Sequence, residues 1–211
     1  REKSGRVFSN LITEPINQQG NDDFSSLFDG NTYFTNPKPL GLIQYFLRTI
    51  DNDSIKVLDF FAGSGTTGQA VMQLNADDGG KRKFILCQVD EPIKKDKPAY
   101  KFCLEDKLPP VISSLTIERL KRAGEKIAKD IEAENSKTGM FEDDKKQVPD
   151  IGFKVFDSVN APKLKVDDKG RISITENETD ALSRIYNMIF TVGLDEPAQV
   201  PEEVVKDSVY K

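Results

Sequence analysis

The sequence predicts an α/β chain organised around one βαβ unit with a helix in front of it. Three observations carry this. Residues 57–61 and 84–89 are short, nearly continuous apolar runs, the pattern of parallel strands buried on both faces. A glycine turn and a helical stretch lie between them. Leu40, Ile43, Leu47 and Ile50 precede them at helical spacing.

Taken in order, residues 1–34 show no sustained periodicity and read as an irregular tail of an upstream domain. Arg1 in place of Met, and the run that follows it, read as the middle of a longer protein. Asn36-Pro37-Lys38-Pro39 sets prolines at a helix start, where a missing N–H costs nothing. Residues 66–75 form the next helix, burying Ala70, Val71 and Leu74, and Asp77-Asp78-Gly79-Gly80 turns the chain. Residues 94–110 are charged and Pro-containing, a surface loop. Ile117, Leu120, Ile127 and Ile131 share one face of a long charged helix. Residues 134–149 are polar and read as mobile. Residues 152–156 alternate as a strand, and Asn177 is placed to cap a last helix with Leu182, Ile185 and Ile189 inward. The expected division is 1–34, 35–150 and a C-terminal α+β extension at 151–211.

The composition excludes several chemistries. The 211 residues carry Lys+Arg 30 and Asp+Glu 35, a formal net charge of −5, so this is no globally basic nucleic-acid binder. His 0 removes the imidazole base and the His metal ligand. Cys87 and Cys103 read as thiols of a reducing cytosol, with Cys87 a small hydrophobe in a buried strand. No apolar run approaches the ~20 residues of a membrane helix.

The strongest chemical signal is Asp59-Phe60-Phe61-Ala62-Gly63-Ser64-Gly65-Thr66-Thr67-Gly68. Glycines after a strand let the backbone turn sharply and approach a ligand, and the next helix offers its first N–H groups. Gly63-x-Gly65-x-x-Gly68 also matches the dinucleotide fingerprint, which expects an acid about 20 residues on. That spacing falls on the turn at Gly79. Asp59 separates the readings: a strand-end carboxylate repels a pyrophosphate and suits a cationic ligand, such as an amino group beside a sulfonium. A Walker loop is excluded, since no Gly-Lys-Ser/Thr follows. Lys81-Arg82-Lys83 and the Lys121, Arg122, Lys126, Lys129 set read as solvated charge.

This segment resembles the S-adenosyl-L-methionine motif of amino-DNA methyltransferases, and within them the modification subunit of type III restriction–modification systems. Asn36-Pro37-Lys38-Pro39 resembles the second cofactor motif, which in this permuted class precedes the glycine motif. Residues 75–86, Glu118-Arg119-Leu120-Lys121-Arg122-Ala123-Gly124 and residues 152–156 also resemble that subfamily.

The resemblance implies a Rossmann-like methyltransferase fold, of which this chain carries the cofactor half. It implies that Phe61, Ala62, Gly63, Ser64 and Gly65 wrap the methionine part, with Asp59 near its amino group and Phe60 in the same cofactor-binding set. Thr66 and Thr67 would reach its carboxylate, and Asn36, Lys38 and Pro39 would complete the pocket. Gln88 stands where an acid usually holds the ribose, with Asp90 and Glu91 near enough to substitute. The family's Asp/Asn-Pro-Pro-aromatic motif, which holds an extruded adenine, is absent. Leu108-Pro109-Pro110-Val111 lacks both the amide and the aromatic. The implied activity is adenine-N6 methylation of double-stranded DNA, with a restriction subunit as partner and a cytoplasmic location. This chain alone is expected to be inactive. A strand 57–61 lacking one neighbour implies a homodimer or other assembly. The alternatives are a Rossmann-type oxidoreductase and a non-catalytic interaction module.

Overall fold

The computed structural model describes residue 12 and residues 14–137, 145–158, 164–166, 168–174, 181–192, 203–205 and 209–210. The chain divides into two compact units, Arg1–Phe153 and Lys154–Lys211.

In the first unit, α1 (Asn17–Ser25) and α2 (Leu40–Arg48) precede β1 (Lys56–Asp59), α3 (Thr66–Asp78) and β2 (Lys83–Leu86). Then come α4 (Pro98–Glu105) and the long α5 (Ile112–Lys137). β1 and β2 pair in parallel, with Val57 opposite Phe84 and Asp59 opposite Leu86. This is the predicted βαβ unit with its leading helix.

Two expected loops are helices. Residues 17–25 have little intrinsic helix propensity, with Gly20 and two Asp in the run. Tertiary packing holds them instead. Phe24 and Phe28 are buried, with stacked rings 4.5 Å apart, in the same core cluster as Leu115, Leu120 and Ile127 of α5. Residues 98–105 form α4, opened by Pro98 and fixed by the burial of Ala99, Phe102 and Cys103. Conversely, residues 152–156, predicted as a strand, have no regular structure.

The strands are shorter and less buried than their sequence suggests. Phe60 and Phe61 leave β1 as a turn, and residues 87–89 leave β2. Along each strand exposure alternates. Val57, Phe84 and Leu86 pack inward on the two core clusters. Leu58 and Ile85, on the other face, remain 51% and 53% exposed. The apolar run signalled burial on both faces, and among the described residues only one face is covered. Cys87, expected in a buried strand, is likewise exposed.

α3 sits at the centre, and nine of its residues, including Thr66, Thr67 and Gly68, are buried. It packs between the sheet, α2 and α5. Its far end is fixed by Arg82, whose guanidinium donates to both Asp78 carboxylate oxygens at 2.9 and 3.0 Å. Asn75 meanwhile holds the Arg82 backbone through both its amide ends. Arg82 is therefore a buried clamp, not a solvated turn residue.

Among the described residues, the second unit holds two antiparallel pairs and a helix. β3 (Leu164–Val166) pairs with β4 (Ile172–Ile174), and β5 (Glu203–Val205) with β6 (Val209–Tyr210). The helix, α6 (Ala181–Val192), is the predicted last helix, with Leu182, Ile185 and Ile189 half-buried. Tyr186 is buried, and its ring meets Phe156 at 5.2 Å and the Lys154 ammonium at 5.3 Å. The cap expected at Asn177 lies outside the described residues.

Candidate functional site

At the carboxyl end of β1 the chain makes a tight turn directly into α3. Gly63 and Gly65 take φ of 53° and 82°, in the left-handed region that glycine enters freely. Gly65 is the residue before the helix, and no side chain caps the first-turn N–H groups. Those groups and the helix dipole favour negative charge.

Asp59 organises the turn from within. One carboxylate oxygen accepts the Phe61 N–H at 3.0 Å, and the other accepts the Thr67 hydroxyl at 2.6 Å. The acid is thus fixed in direction at the strand end, half-buried, with acceptor capacity left over. The turn is also sewn to β2: the Cys87 N–H donates to the Asp59 carbonyl at 2.8 Å and the Ala62 N–H to the Cys87 carbonyl at 3.1 Å. Gln88 donates from Nε2 to the Val89 carbonyl and accepts the Gly63 N–H on Oε1 at 2.7 Å. It supports the turn through its amide oxygen, while its amide nitrogen holds its own neighbour. Asp90 accepts a short hydrogen bond from the Ser113 hydroxyl.

The structure brings the two sequence motifs together. Pro37 and Pro39 are buried while the side chains of Asn36 and Lys38 are exposed. The Lys38 carbonyl accepts the Thr66 hydroxyl at 3.3 Å, so the Asn36–Pro39 segment lies against the start of α3. Asn36 holds φ at 55°, a left-handed conformation that Asn tolerates better than most residues. Phe34 also closes on the turn, 3.5 Å from where a Gly63 side chain would begin. Phe60 and Phe61 stand out from the turn, 64% and 89% exposed, whereas Ala62 and Ser64 are buried.

Sequence reasoning missed what lies behind the turn. Thr116 of α5 donates its hydroxyl to the Gly63 carbonyl at 2.5 Å. Arg119, one helical turn on, is fully buried. Its Nη1 donates to the Ser64 hydroxyl at 2.8 Å and the Thr66 hydroxyl at 2.7 Å, and its Nε to Gln69 Oε1 at 2.8 Å. Its guanidinium also lies 5.4 Å from the centre of the Phe24 ring. Burial pushes the Arg119 pKa down to about 10, against the charge of Asp23, which pulls it up. A legible signal existed. Arg119 falls four residues after Leu115 and four before Ala123, so a charge interrupts the apolar stripe of α5.

Arg122, expected on a solvated face, is half-buried. It pairs with Glu118 at 2.7 Å and lies over the Phe28 ring at 4.8 Å. Among the described residues there is no cluster of acids and thiols suited to a metal ion.

Residues 2–99 match a family model described as DNA methylase. The Mod subunit of the type III restriction-modification enzyme StyLTI, from Salmonella typhimurium strain LT2, is 36% identical over 153 residues. That alignment covers 72% of this chain and 20% of the relative. The EcoPI Mod subunit of Escherichia phage P1 is 49% identical over 71 residues, 34% of this chain and 11% of that protein. The type II methyltransferase M.KpnI of Klebsiella pneumoniae is 38% identical over 103 residues, 49% of this chain and 23% of its own. The chain spans about a fifth of the length of the Salmonella relative. It resembles DNA adenine methyltransferases, and among them the type III Mod subunits.

Proposed function

We propose that this chain is the cofactor-binding part of a DNA methyltransferase that acts on adenine N6 within a type III restriction–modification system. The observation that carries the reading is the pairing of Asp59 with the uncapped start of α3 across one glycine turn. A carboxylate faces one side and free N–H groups the other. That suits a zwitterion, whose ammonium lies toward Asp59 and whose carboxylate lies toward the first turn. S-adenosyl-L-methionine has such an end, and when bound it supplies an electrophilic methyl on a sulfonium.

The residues divide the work of binding. Asp59, aimed by Phe61 and Thr67, orients the ammonium. Gly63 and Gly65 admit close backbone approach, and exposed Phe60 and Phe61 lie free to cover the ligand from the strand ends. Asn36, Lys38 and Pro39 form the neighbouring wall. Gln88 holds the turn through Gly63, and Glu91, or Asp90 with the acceptor capacity left beside the Ser113 hydroxyl, would take the ribose hydroxyls. In the whole protein the methyl acceptor would be the amino group of an adenine swung out of double-stranded DNA. The motif that grips such an adenine is not in this sequence, so the chain by itself binds cofactor without transferring methyl. A restriction subunit, a second modification subunit and a cytoplasmic setting complete the proposal.

Isothermal titration with S-adenosylmethionine and with NAD tests it. S-adenosylmethionine is expected to bind and NAD to give no heat. Binding of NAD alone favours the oxidoreductase reading of the glycine pattern, and binding of neither favours an interaction module. Asp59→Ala should weaken the methyl donor by about 1.5–3 kcal/mol, the scale of a charge-assisted hydrogen bond. Transfer of tritium from labelled cofactor to DNA by this chain alone would contradict the proposed division.

A further inference from the structure

Arg119 is anomalous in ways that packing alone does not explain. It is 0% exposed, and its guanidinium donates only to neutral acceptors: two hydroxyls, a carbonyl and an amide oxygen. None of the ion pairs among the described residues includes it. Its Nη2 is buried with no hydrogen-bond partner. The Asp23 charge acts on it without an ion pair, and the Asp23 carboxylate accepts the Leu40 N–H at 2.7 Å. Burying a cation without a direct ion pair is costly, and a neutral donor would tie the same acceptors at lower cost.

Its place suggests what the charge is for. Nη1 reaches the Ser64 and Thr66 hydroxyls, which flank Gly65 at the point where α3 begins. The uncapped N–H groups of α3 start at that same point. A positive charge behind a helix N-terminus adds to the helix dipole, and burial away from solvent leaves it weakly screened.

We infer that Arg119 is a positioning residue for the ligand's carboxylate: it locks the Gly63–Gly65 turn from behind, and the anion bound in front adds a countercharge to the distant one of Asp23. The carboxylate never touches Arg119. It meets the backbone of the turn, and Arg119 contributes through the turn's fixed shape and through its charge. This rests on the proposed S-adenosylmethionine site.

The test is calorimetry on the purified chain with two ligands: S-adenosylmethionine and its decarboxylated analogue, which keeps the sulfonium, the amine and the adenosine. Wild type is expected to prefer the carboxylate-bearing ligand roughly ten- to a hundredfold, the scale of interactions with a charged group. Arg119→Gln should erase most of that preference while changing affinity for the analogue little. Arg119→Lys, which keeps the charge and loses the fork, should retain the preference at lower overall affinity. Equal losses for both ligands in Arg119→Gln would reduce the residue to a structural tie and overturn the inference. Should Arg119→Gln lack a cooperative thermal transition, Arg119→Lys decides: folded protein with no carboxylate preference overturns it. A wild type that binds both ligands equally defeats the role of Arg119 and leaves the cofactor site standing. A wild type that binds neither defeats both.

Discussion

The glycine turn has two sides, and they are built differently. Behind it, Ser64, Thr66, Thr67 and Gln69 are buried, and Arg119 and Thr116 of α5 bond directly to the turn or to the first turn of α3. In front, at the strand ends, Phe60, Phe61 and Val89 are 64%, 89% and 77% exposed. One side is a packed wall and the other an open mouth. A wall fixed before the ligand arrives lowers the ordering cost of binding, and loose aromatic groups can then close over it. The contrast predicts that substitutions behind the turn cost stability, and that substitutions in front cost only binding.

The largest effect is expected at Gly20, where α1 meets the Asn36–Pro39 segment. A methyl group there would stand 2.0 Å from the Pro37 carbonyl oxygen and 2.9 Å from the Lys38 carbonyl carbon. Both are backbone, so neither can swing aside. Gly20→Ala should destabilise by about 3 kcal/mol or more, at the upper end of overpacking costs, despite the gain in helix propensity. Urea unfolding measures it, and an unchanged midpoint would break the picture of a rigid wall.

Gly68→Ala comes next. Its methyl would lie 2.6 Å from Leu120 Cδ2 and 3.1 Å from Leu86 Cδ1. Those are ends of flexible side chains, so the strain of about 1–3 kcal/mol is partly relieved. A helix-propensity gain of up to ~1 kcal/mol opposes it. A net loss near 1 kcal/mol is expected, smaller than at Gly20 because the obstacle is soft.

How much of this was readable beforehand follows from which signals are local. The βαβ order, α5 and the contact between the two motifs descend from periodicity, glycine placement and resemblance, all visible in one dimension. α1 and α4 were not legible, because Phe24, Phe28 and Phe102 make their helices stable only once they meet α5. The length of the strands misled for the opposite reason. The apolar run continues through Phe60 and Phe61, but Asp59 draws the Phe61 N–H onto its own side chain and ends the ladder. Arg119 was visible only as a misplaced charge, and its role needed the turn it reaches from 53 and 55 residues away.

At the far end of α3 a smaller, pH-dependent effect sharpens the same contrast. Partial burial pushes the Asp78 carboxyl up, but the Arg82 fork and the Gly80 N–H outweigh it and hold the acid below its usual value. A depressed carboxylate stabilises the fold above its unfolded pKa of 3.8 and loses that contribution as pH falls through the folded value. Asp78→Asn should therefore flatten the acid limb of a stability-against-pH curve. At 43% side-chain exposure, solvent screening limits the contribution to about 0.5–1 kcal/mol.

The smallest effect on stability, and the sharpest test of the open mouth, is Phe61→Ala. Phe61 is 89% exposed, and its backbone N–H, not its ring, is what Asp59 holds. Alanine keeps that N–H and removes only surface the solvent already reaches. Unfolding free energy should move by no more than ~0.5 kcal/mol. Affinity for S-adenosylmethionine should nonetheless fall, since an aromatic ring that folds over a ligand buries area on both partners. The two measurements are independent, which gives the variant its force. A loss of stability would mean that the ring already packs in solution and the mouth is closed. Unchanged stability with unchanged affinity would mean that the exposed aromatic group serves something other than the ligand of the glycine turn.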